Sequence, residues 1–261
     1  MKLWKLTYEL SNKFSLPVTR HSFSLRCFPQ DLSVQKVDTC ECEIHPCSVN
    51  TRGRDSFNNQ ILTGICEEPH DYFNVKVVAE VRTSNEALPD NTDPLKLGMY
   101  RYSSKYTGMG PELKKFYNNL PRTEKKDDWS RTGELMEALY DVFHYQTGST
   151  CIYTTAEDAF AQGYGVCQDY AHILLSLCRK ENILARYVAG AIPGEGESHA
   201  WIEVYQNGYW KGFDPTNNRE ANEEYIRFAF GRDAQDCGLN RGIFLGGASQ
   251  LQSVFVKMEE C

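Results

Sequence analysis

The segment Ser198-His199-Ala200-Trp201-Ile202-Glu203-Val204-Tyr205-Gln206-Asn207-Gly208-Tyr209-Trp210-Lys211-Gly212-Phe213-Asp214 reads as two strands around an Asn-Gly pair. A type I′ turn needs positive φ at both central residues, and Asn-Gly is the strongest two-residue signal for it. With a two-residue loop, Gln206 faces Tyr209, Glu203 faces Gly212 and Trp201 faces Asp214. Side chains alternate along a strand and directly paired residues share a face. His199, two residues before Trp201, therefore lies on the face of Asp214 as its diagonal neighbour. Their Cα atoms are expected ~7–8 Å apart, within reach of a His–carboxylate hydrogen bond. A slip of one residue puts them on opposite faces. Pro215 ends the returning strand and stiffens the backbone behind the carboxylate.

A His–Asp pair alone is an ordinary cross-strand contact. It gains meaning from what precedes it. Gly163-Tyr164-Gly165-Val166-Cys167 leads into a helix expected from about Cys167 to Lys180. Tyr170, Ala171, Ile173, Leu174, Leu177 and Cys178 make that helix apolar over most of its surface, as in a central buried helix. A thiol at a helix start sees unpaired backbone N–H groups and the positive end of the dipole, which favour thiolate. The same N–H groups are placed to hold a developing oxyanion. Cys167, His199 and Asp214 are thus the candidate catalytic residues: nucleophile, general base and acid, and the group that orients the imidazole. His172 lies about 140° round the helix from Cys167 and is not counted as the base.

Other residues near the nucleophile carry weaker assignments. Gln162 is an oxyanion-donor candidate by proximity in sequence, and Gln168 a candidate substrate contact. Asp169 reads first as a first-turn acid, with positioning of His199 or substrate as the alternative. Trp201 reads first as a core aromatic and second as a wall of the cleft.

Outward from this centre, the first 85 residues read as a small all-β sandwich, with strands at 3–10, 20–27, 33–49, 60–66 and 73–81. Asp55 to Asn59 supplies turn residues. Residues 86–128, punctuated by Pro89, Pro94, Pro111 and Pro121, form a connector with one short helix near 111–118. Residues 129–261 read as an α+β core, helices packed on an antiparallel sheet. Its first helix lies within 130–146, and Thr155-Ala156-Glu157-Asp158 caps the next. Its strands are expected at 184–192, 198–206, 209–214, 225–231 and 251–258.

Composition excludes several function classes. The chain has 261 residues and a net charge of −7, against nucleic acid or anionic membrane as the main partner. The start, Met1-Lys2-Leu3-Trp4-Lys5-Leu6, lacks an apolar signal core, and no stretch approaches the ~20 apolar residues of a span. The expectation is a soluble, cytoplasmic protein with ten largely reduced cysteines. Cys40, Cys42, His45 and Cys47 form the one metal-like cluster. Set in an alternating strand without a second ligand pair, it reads as half-buried thiols, with a structural zinc as the second reading. The chemistry itself requires no metal or organic cofactor.

Several blocks look like those of a known family. Phe143-His144-Tyr145-Gln146-Thr147-Gly148-Ser149-Thr150, Gly165-Val166-Cys167-Gln168-Asp169-Tyr170-Ala171-His172, Ala185-Arg186-Tyr187-Val188-Ala189-Gly190, Ser198-His199-Ala200-Trp201 and Phe213-Asp214-Pro215-Thr216-Asn217 resemble, in order and spacing, the bacterial transglutaminase-like cysteine peptidases. Gly231-Arg232-Asp233, Asp236 and Arg241-Gly242 resemble the closing block, and the first ~85 residues the β domain that precedes the core. The resemblance implies a papain-like, transglutaminase-like core and a Cys–His–Asp triad on Cys167, His199 and Asp214. Cys237-Gly238-Leu239-Asn240 departs from the family's usual valine- and proline-containing turn, and Ile192 to Glu197 is short and acidic, so the cleft rim differs. The implied function is hydrolysis of an amide, peptide or isopeptide bond in a peptide or protein substrate. Transfer to an amine and a non-catalytic binding module are the alternatives.

Overall fold

A computed structural model describes residues 1–47, 49–93, 95–121 and 127–261; position 48 of the expected strand 33–49, and positions 94 and 122–126 of the connector, lie outside the described residues. The first strand, β1, runs Lys2–Leu25 and alternates strictly in its first half, with Trp4, Leu6, Tyr8, Leu10 and Phe14 buried. The two strands expected at 3–10 and 20–27 are thus one, bent where its pairing shifts register between Lys13 and Val18. Pro17 sits in that bend and has no N–H to donate to a ladder. Four more strands complete this half: β2 Gln35–His45, β3 Asn50–Arg54, β4 Gln60–Cys66 and β5 His70–Thr83. The first half of β1 pairs with β5, and β5 with β2. The second half pairs with β4, and β4 with β3. The side chains of both halves meet in one core that includes Trp4, Phe23, Leu62, Phe73 and Val77.

Among the described residues four α-helices follow, α1 Pro111–Asn119, α2 Asp128–Tyr140, α3 Ala156–Gln162 and α4 Cys167–Lys180. The expected cap of α3 is present as a full box: Asp158 N–H donates to Thr155 Oγ1 at 3.1 Å and Thr155 N–H to Asp158 Oδ2 at 3.4 Å. Helix α4 is buried from Asp169 through Arg179. It packs Ile173, Leu174 and Leu177 in one core with Ala200, Ile202 and Val204 of an antiparallel sheet. The long strands of that sheet are β6 Ala185–Ala191, β7 His199–Gln206, β8 Tyr209–Asp214 and β9 Ile226–Gly231 in the order β8-β7-β6-β9, and the two-residue strands Leu88–Pro89 and Arg219–Glu220 pair with β8.

The last two strands, β10 Asn240–Leu245 and β11 Gln250–Glu260, both pair with β1. The strand expected at 251–258 therefore does not extend the C-terminal sheet. It continues the N-terminal one, from Trp4 opposite Glu260 to Phe14 opposite Gln250. Alternation marks a strand but not the edge it joins. Strand outweighs helix along the chain, so α+β describes the architecture only loosely.

The two halves are joined by amide side chains that stand in for a strand. The outer edge of β9 would leave buried backbone groups unpaired. Asn59 Nδ2 donates to the Phe230 carbonyl at 2.8 Å, and Phe230 N–H donates to Asn59 Oδ1 at 2.7 Å. Gln35 repeats the exchange with Arg227 at 2.9 and 2.8 Å. Both side chains are fully buried. Asn59→Ala removes one such exchange and orphans a buried N–H and C=O, which is expected to cost about 2–4 kcal/mol. Urea unfolding measures it; a loss under 0.5 kcal/mol would show that the amide is not a structural link.

Candidate active site

Cys167 is the first residue of α4, behind Val166 at the N-cap. Asp169 holds this start in place. Its Oδ2 accepts from Val166 N–H at 2.8 Å and from Thr150 Oγ1 at 2.6 Å. A Cβ on residue 165 would lie 2.6 Å from the same oxygen, so glycine is required there. Asp169 is buried, burial raises its pKa, and the bonds from Thr150 and Val166 oppose that rise. It braces the nucleophile's helix and lines neither hollow described below.

The hairpin has the register the turn demands. Gln206 pairs with Tyr209, Glu203 with Gly212 and Ile202 with Phe213. Asn207 and Gly208 take φ of 52° and 91°. The result is a hydrogen bond of 2.7 Å between His199 Nε2 and Asp214 Oδ2. The Asp214 carboxylate has no exposed surface and is held from every side. Oδ1 accepts from the backbone N–H of Thr216 at 3.0 Å and of Asn217 at 3.3 Å. Oδ2 accepts also from Asn217 Nδ2 and from the Tyr225 hydroxyl, each at 2.7 Å. Arg219 Nε donates to that hydroxyl at 2.8 Å, which turns the phenolic proton toward Asp214.

These contacts set the charges. Burial disfavours ionised Asp214, but the bonds from His199, Asn217 and Tyr225 outweigh it and hold the carboxyl below its usual range. Burial likewise disfavours the imidazolium of His199. Hydrogen bonding to Asp214 and to Cys167 overcomes it and raises the imidazole to about 10. With Nε2 taken by Asp214, Nδ1 is the ring nitrogen left for the sulfur.

The shifted His199 and Asp214 couple the stability of the fold to pH. A folded value above the unfolded ~6.5 stabilises the fold fully below that pH, and the contribution is lost as pH rises through about 10. The depressed carboxyl adds stability above ~3.9 that is lost as pH falls. In ¹⁵N NMR, both ring nitrogens of His199 are expected to stay protonated through pH 8. Titration near 6.5 would contradict this account of the pair.

Cys167 and His199 sit where two hollows meet, of about 480 and 540 Å³. The first is bordered by Tyr145, Glu195 and Glu197, the second by Tyr153, Gln168 and Arg241. The N-terminal half supplies part of the walls through Tyr8, and the closing strand β11 supplies Gln252, Val254 and Val256. Nothing in the order of the sequence pointed to Tyr8 or β11 at the cleft, since Tyr8 lies on β1, far from Cys167 in the chain, and β11 arrives through long-range pairing with β1.

The other sequence candidates separate. Gln168 lines the larger hollow. Gln162 is exposed, its Nε2 donates to the Tyr164 carbonyl at 2.9 Å, and it lines neither hollow. Gly163, in the left-handed region at φ 83°, ends α3 and redirects the chain between Gln162 and Cys167. Trp201 is fully buried and stacks behind His199 at 6.3 Å and 24°, which makes it a core support and not a cleft wall. His172 is also buried; its Nε2 accepts from Ala234 N–H at 3.1 Å, and burial with Arg179 lowers it to about 3. Tyr225 and Arg219 escaped the sequence reading, because their link to Asp214 depends on the path after the hairpin.

The fold and this pairing define a class: a helix-start cysteine beside a strand-borne histidine–aspartate pair in an open cleft. The chain belongs to the transglutaminase-like superfamily, whose profile matches residues 115–215, and the bacterial transglutaminase-like N-terminal region matches residues 5–82. An uncharacterised protein of Mycobacterium leprae is 41% identical over 121 residues, 42% of this chain and 43% of its own length. One of Mycobacterium bovis is 34% identical over 126 residues, 42% of this chain and 40% of its own. The chain thus spans well under half the length of these curated relatives. A crystal structure of a candidate cysteine protease from Cytophaga hutchinsonii superposes with a TM-score of 0.82 at 22% identity, covering 99% of this chain and 90% of that one. That likeness establishes the fold. Among the described residues, no helix is long and apolar enough to cross a membrane.

Proposed function

We propose that the protein is a cysteine-dependent hydrolase of amide, peptide or isopeptide bonds. The observation that carries the reading is His199, held by buried Asp214 and lining, together with Cys167, both hollows of an open cleft. In the first half-reaction Cys167 Sγ attacks the carbonyl carbon, and unpaired N–H groups of the first turn of α4 stabilise the oxyanion. The C–N bond breaks as His199 gives its proton to the leaving amine, leaving a thioester. In the second half-reaction water attacks the thioester, His199 takes its proton, and the C–S bond breaks to release the acid.

The hollow on each side of the sulfur also favours a second reading, in which an amine replaces water and the product is a new amide. Screening peptide amides with and without a primary amine separates the two. Hydrolysis that Cys167→Ala abolishes supports the first; incorporation of the amine at the expense of acid supports the second. Failure of wild type to acylate with any of them, together with an unreactive Cys167, would leave a protein-binding module. We also place the protein in the cytoplasm, where its eight free thiols would stay reduced. Recovery in a periplasmic extract would refute that placement.

A further inference from the structure

A second cluster of reactive side chains lies away from the cleft, within the N-terminal sheet. His21 stands in the second half of β1 directly opposite Cys66, the last residue of β4. His70 opens β5 opposite Val18. Cys47, just after β2, is joined to Cys66 as a disulfide, with Cα atoms 5.2 Å apart. All four residues are buried. His21 Nδ1 and His70 Nε2 face each other at 3.2 Å, and with Cys66 Sγ all three atoms lie within 4.8 Å of one another.

A disulfide has no use for two converging imidazoles, but a metal ion does. Zn–N bonds of ~2.0–2.1 Å in a tetrahedron put two nitrogens about 3.3 Å apart. The Nδ1–H of His70 donates to the Glu68 carbonyl at 2.9 Å, so Nε2 keeps its lone pair facing His21. Fixing the second ring nitrogen in this way is how ligating histidines are oriented. On the far side of His21, a Cβ on Gly242 would lie 2.7 Å from Nε2; the β10 backbone crowds that nitrogen and leaves Nδ1 to face the cluster. Phe14, Phe23 and Phe73 pack around the His21 ring at 5.6, 6.2 and 4.7 Å. Two thiolates and a divalent cation sum to zero charge, which suits such an apolar surround.

We propose that in the reduced protein Cys47, Cys66, His21 and His70 form a tetrahedral Zn²⁺ site that ties β1, β4, β5 and the end of β2 together. Each thiol loses a proton, two S–Zn bonds form beside two neutral imidazoles, and nothing is oxidised or reduced. The competing state is the Cys47–Cys66 disulfide, reached by two-electron oxidation. Of the Cys40, Cys42, His45 and Cys47 cluster met in the sequence, only Cys47 takes part. Cys40 and Cys42 lie half-buried on one face of β2, and His45 is exposed on the other.

Metal analysis of protein purified with a phosphine reductant tests this. About one zinc per chain is expected, in wild type and in Cys167→Ala alike, which separates the site from the proposed active site. Co²⁺ added to chelator-stripped protein should give tetrahedral d–d and thiolate charge-transfer bands, retained in Cys40→Ser and lost in Cys66→Ser. Should Cys66→Ser fail to fold, alkylation of wild type decides. Cys47 and Cys66 must be protected until chelator is added. Metal-free protein carrying the Cys47–Cys66 disulfide under the same reductant, or cobalt bands unchanged in a folded Cys66→Ser, overturns the proposal.

Discussion

Asp214→Asn is expected to lower kcat/KM on any amide substrate by about 10³–10⁴-fold. The carboxylate meets its neighbours entirely as an acceptor. Oδ2 alone takes protons from His199, Asn217 and Tyr225 at 2.7 Å each. An amide in its place fails either way round. With Nδ2 at that position, three donors confront a fourth. With the amide flipped, Nδ2 meets the backbone N–H groups of Thr216 and Asn217. His199 also loses the charge that keeps its imidazole protonated beside Cys167. The effect should therefore appear in kcat and in the rate at which haloacetamides modify Cys167, with thermal unfolding reporting any loss of fold. Tyr225→Phe removes one of the three donors and should cost far less, about 10-fold or under. A folded Asp214→Asn enzyme with near wild-type kcat/KM would remove Asp214 from the mechanism.

Glu203→Ala is expected to be the most damaging structural change, at about 3–5 kcal/mol and on the order of 10 °C in Tm. Glu203 is fully buried. Arg186 Nη2 donates to its Oε2 and Arg227 Nε to its Oε1, both at 2.6 Å. Burial opposes its ionisation, but Arg227 and Arg186 overcome that and hold the carboxyl below its usual range. The Arg186 guanidinium lies between Trp210 and Phe230, 4.1 and 3.8 Å from their ring centres, where water cannot replace a lost partner. Alanine leaves two buried cations unpaired. His199, Trp201 and Glu203 share one face of β7, so the same loss loosens the support beneath the imidazole. Breaking the exposed pair of Lys76 and Glu9 by Lys76→Ala gives a control, expected to change Tm hardly at all. Equal shifts in the two variants would contradict the role given to Glu203.

The part of the site legible in the sequence is the part built by short-range geometry. Asn207-Gly208 permits one register, and that register puts His199 beside Asp214. Cys167 was legible for a similar reason, since glycines before a long apolar run mark the start of a buried helix. What stayed hidden depends on contacts far apart in the chain. Tyr225 reaches Asp214 only after the loop beyond Pro215 has folded back. Strand β11 alternates visibly, yet alternation does not tell which of several open edges it will join. Strand β10, Asn240–Leu245, is short and holds Gly242, and it was not anticipated at all. Gln162 shows the limit of closeness in sequence: five residues before the cysteine and beside left-handed Gly163, it binds the Tyr164 carbonyl and lines neither hollow. The Cys40, Cys42, His45 and Cys47 cluster is half-buried strand thiols at Cys40 and Cys42, the first reading of its alternation. Residues two apart on a strand share a face, but His45 lies on the opposite face from Cys42, and the histidines that gather at Cys66 come from β1 and β5, outside that cluster.

Alkylation with limiting iodoacetamide near pH 6, mapped by mass spectrometry in wild type and in His199→Ala, tests the central claim most directly. An ordinary thiol is almost wholly protonated at that pH and reacts slowly. The paired site predicts modification concentrated on Cys167, ahead of exposed Cys151 and Cys261, and slowed at least about 10-fold in the His199 variant. Label spread over Cys151 and Cys261 with Cys167 silent, or a Cys167 rate indifferent to His199, would contradict it.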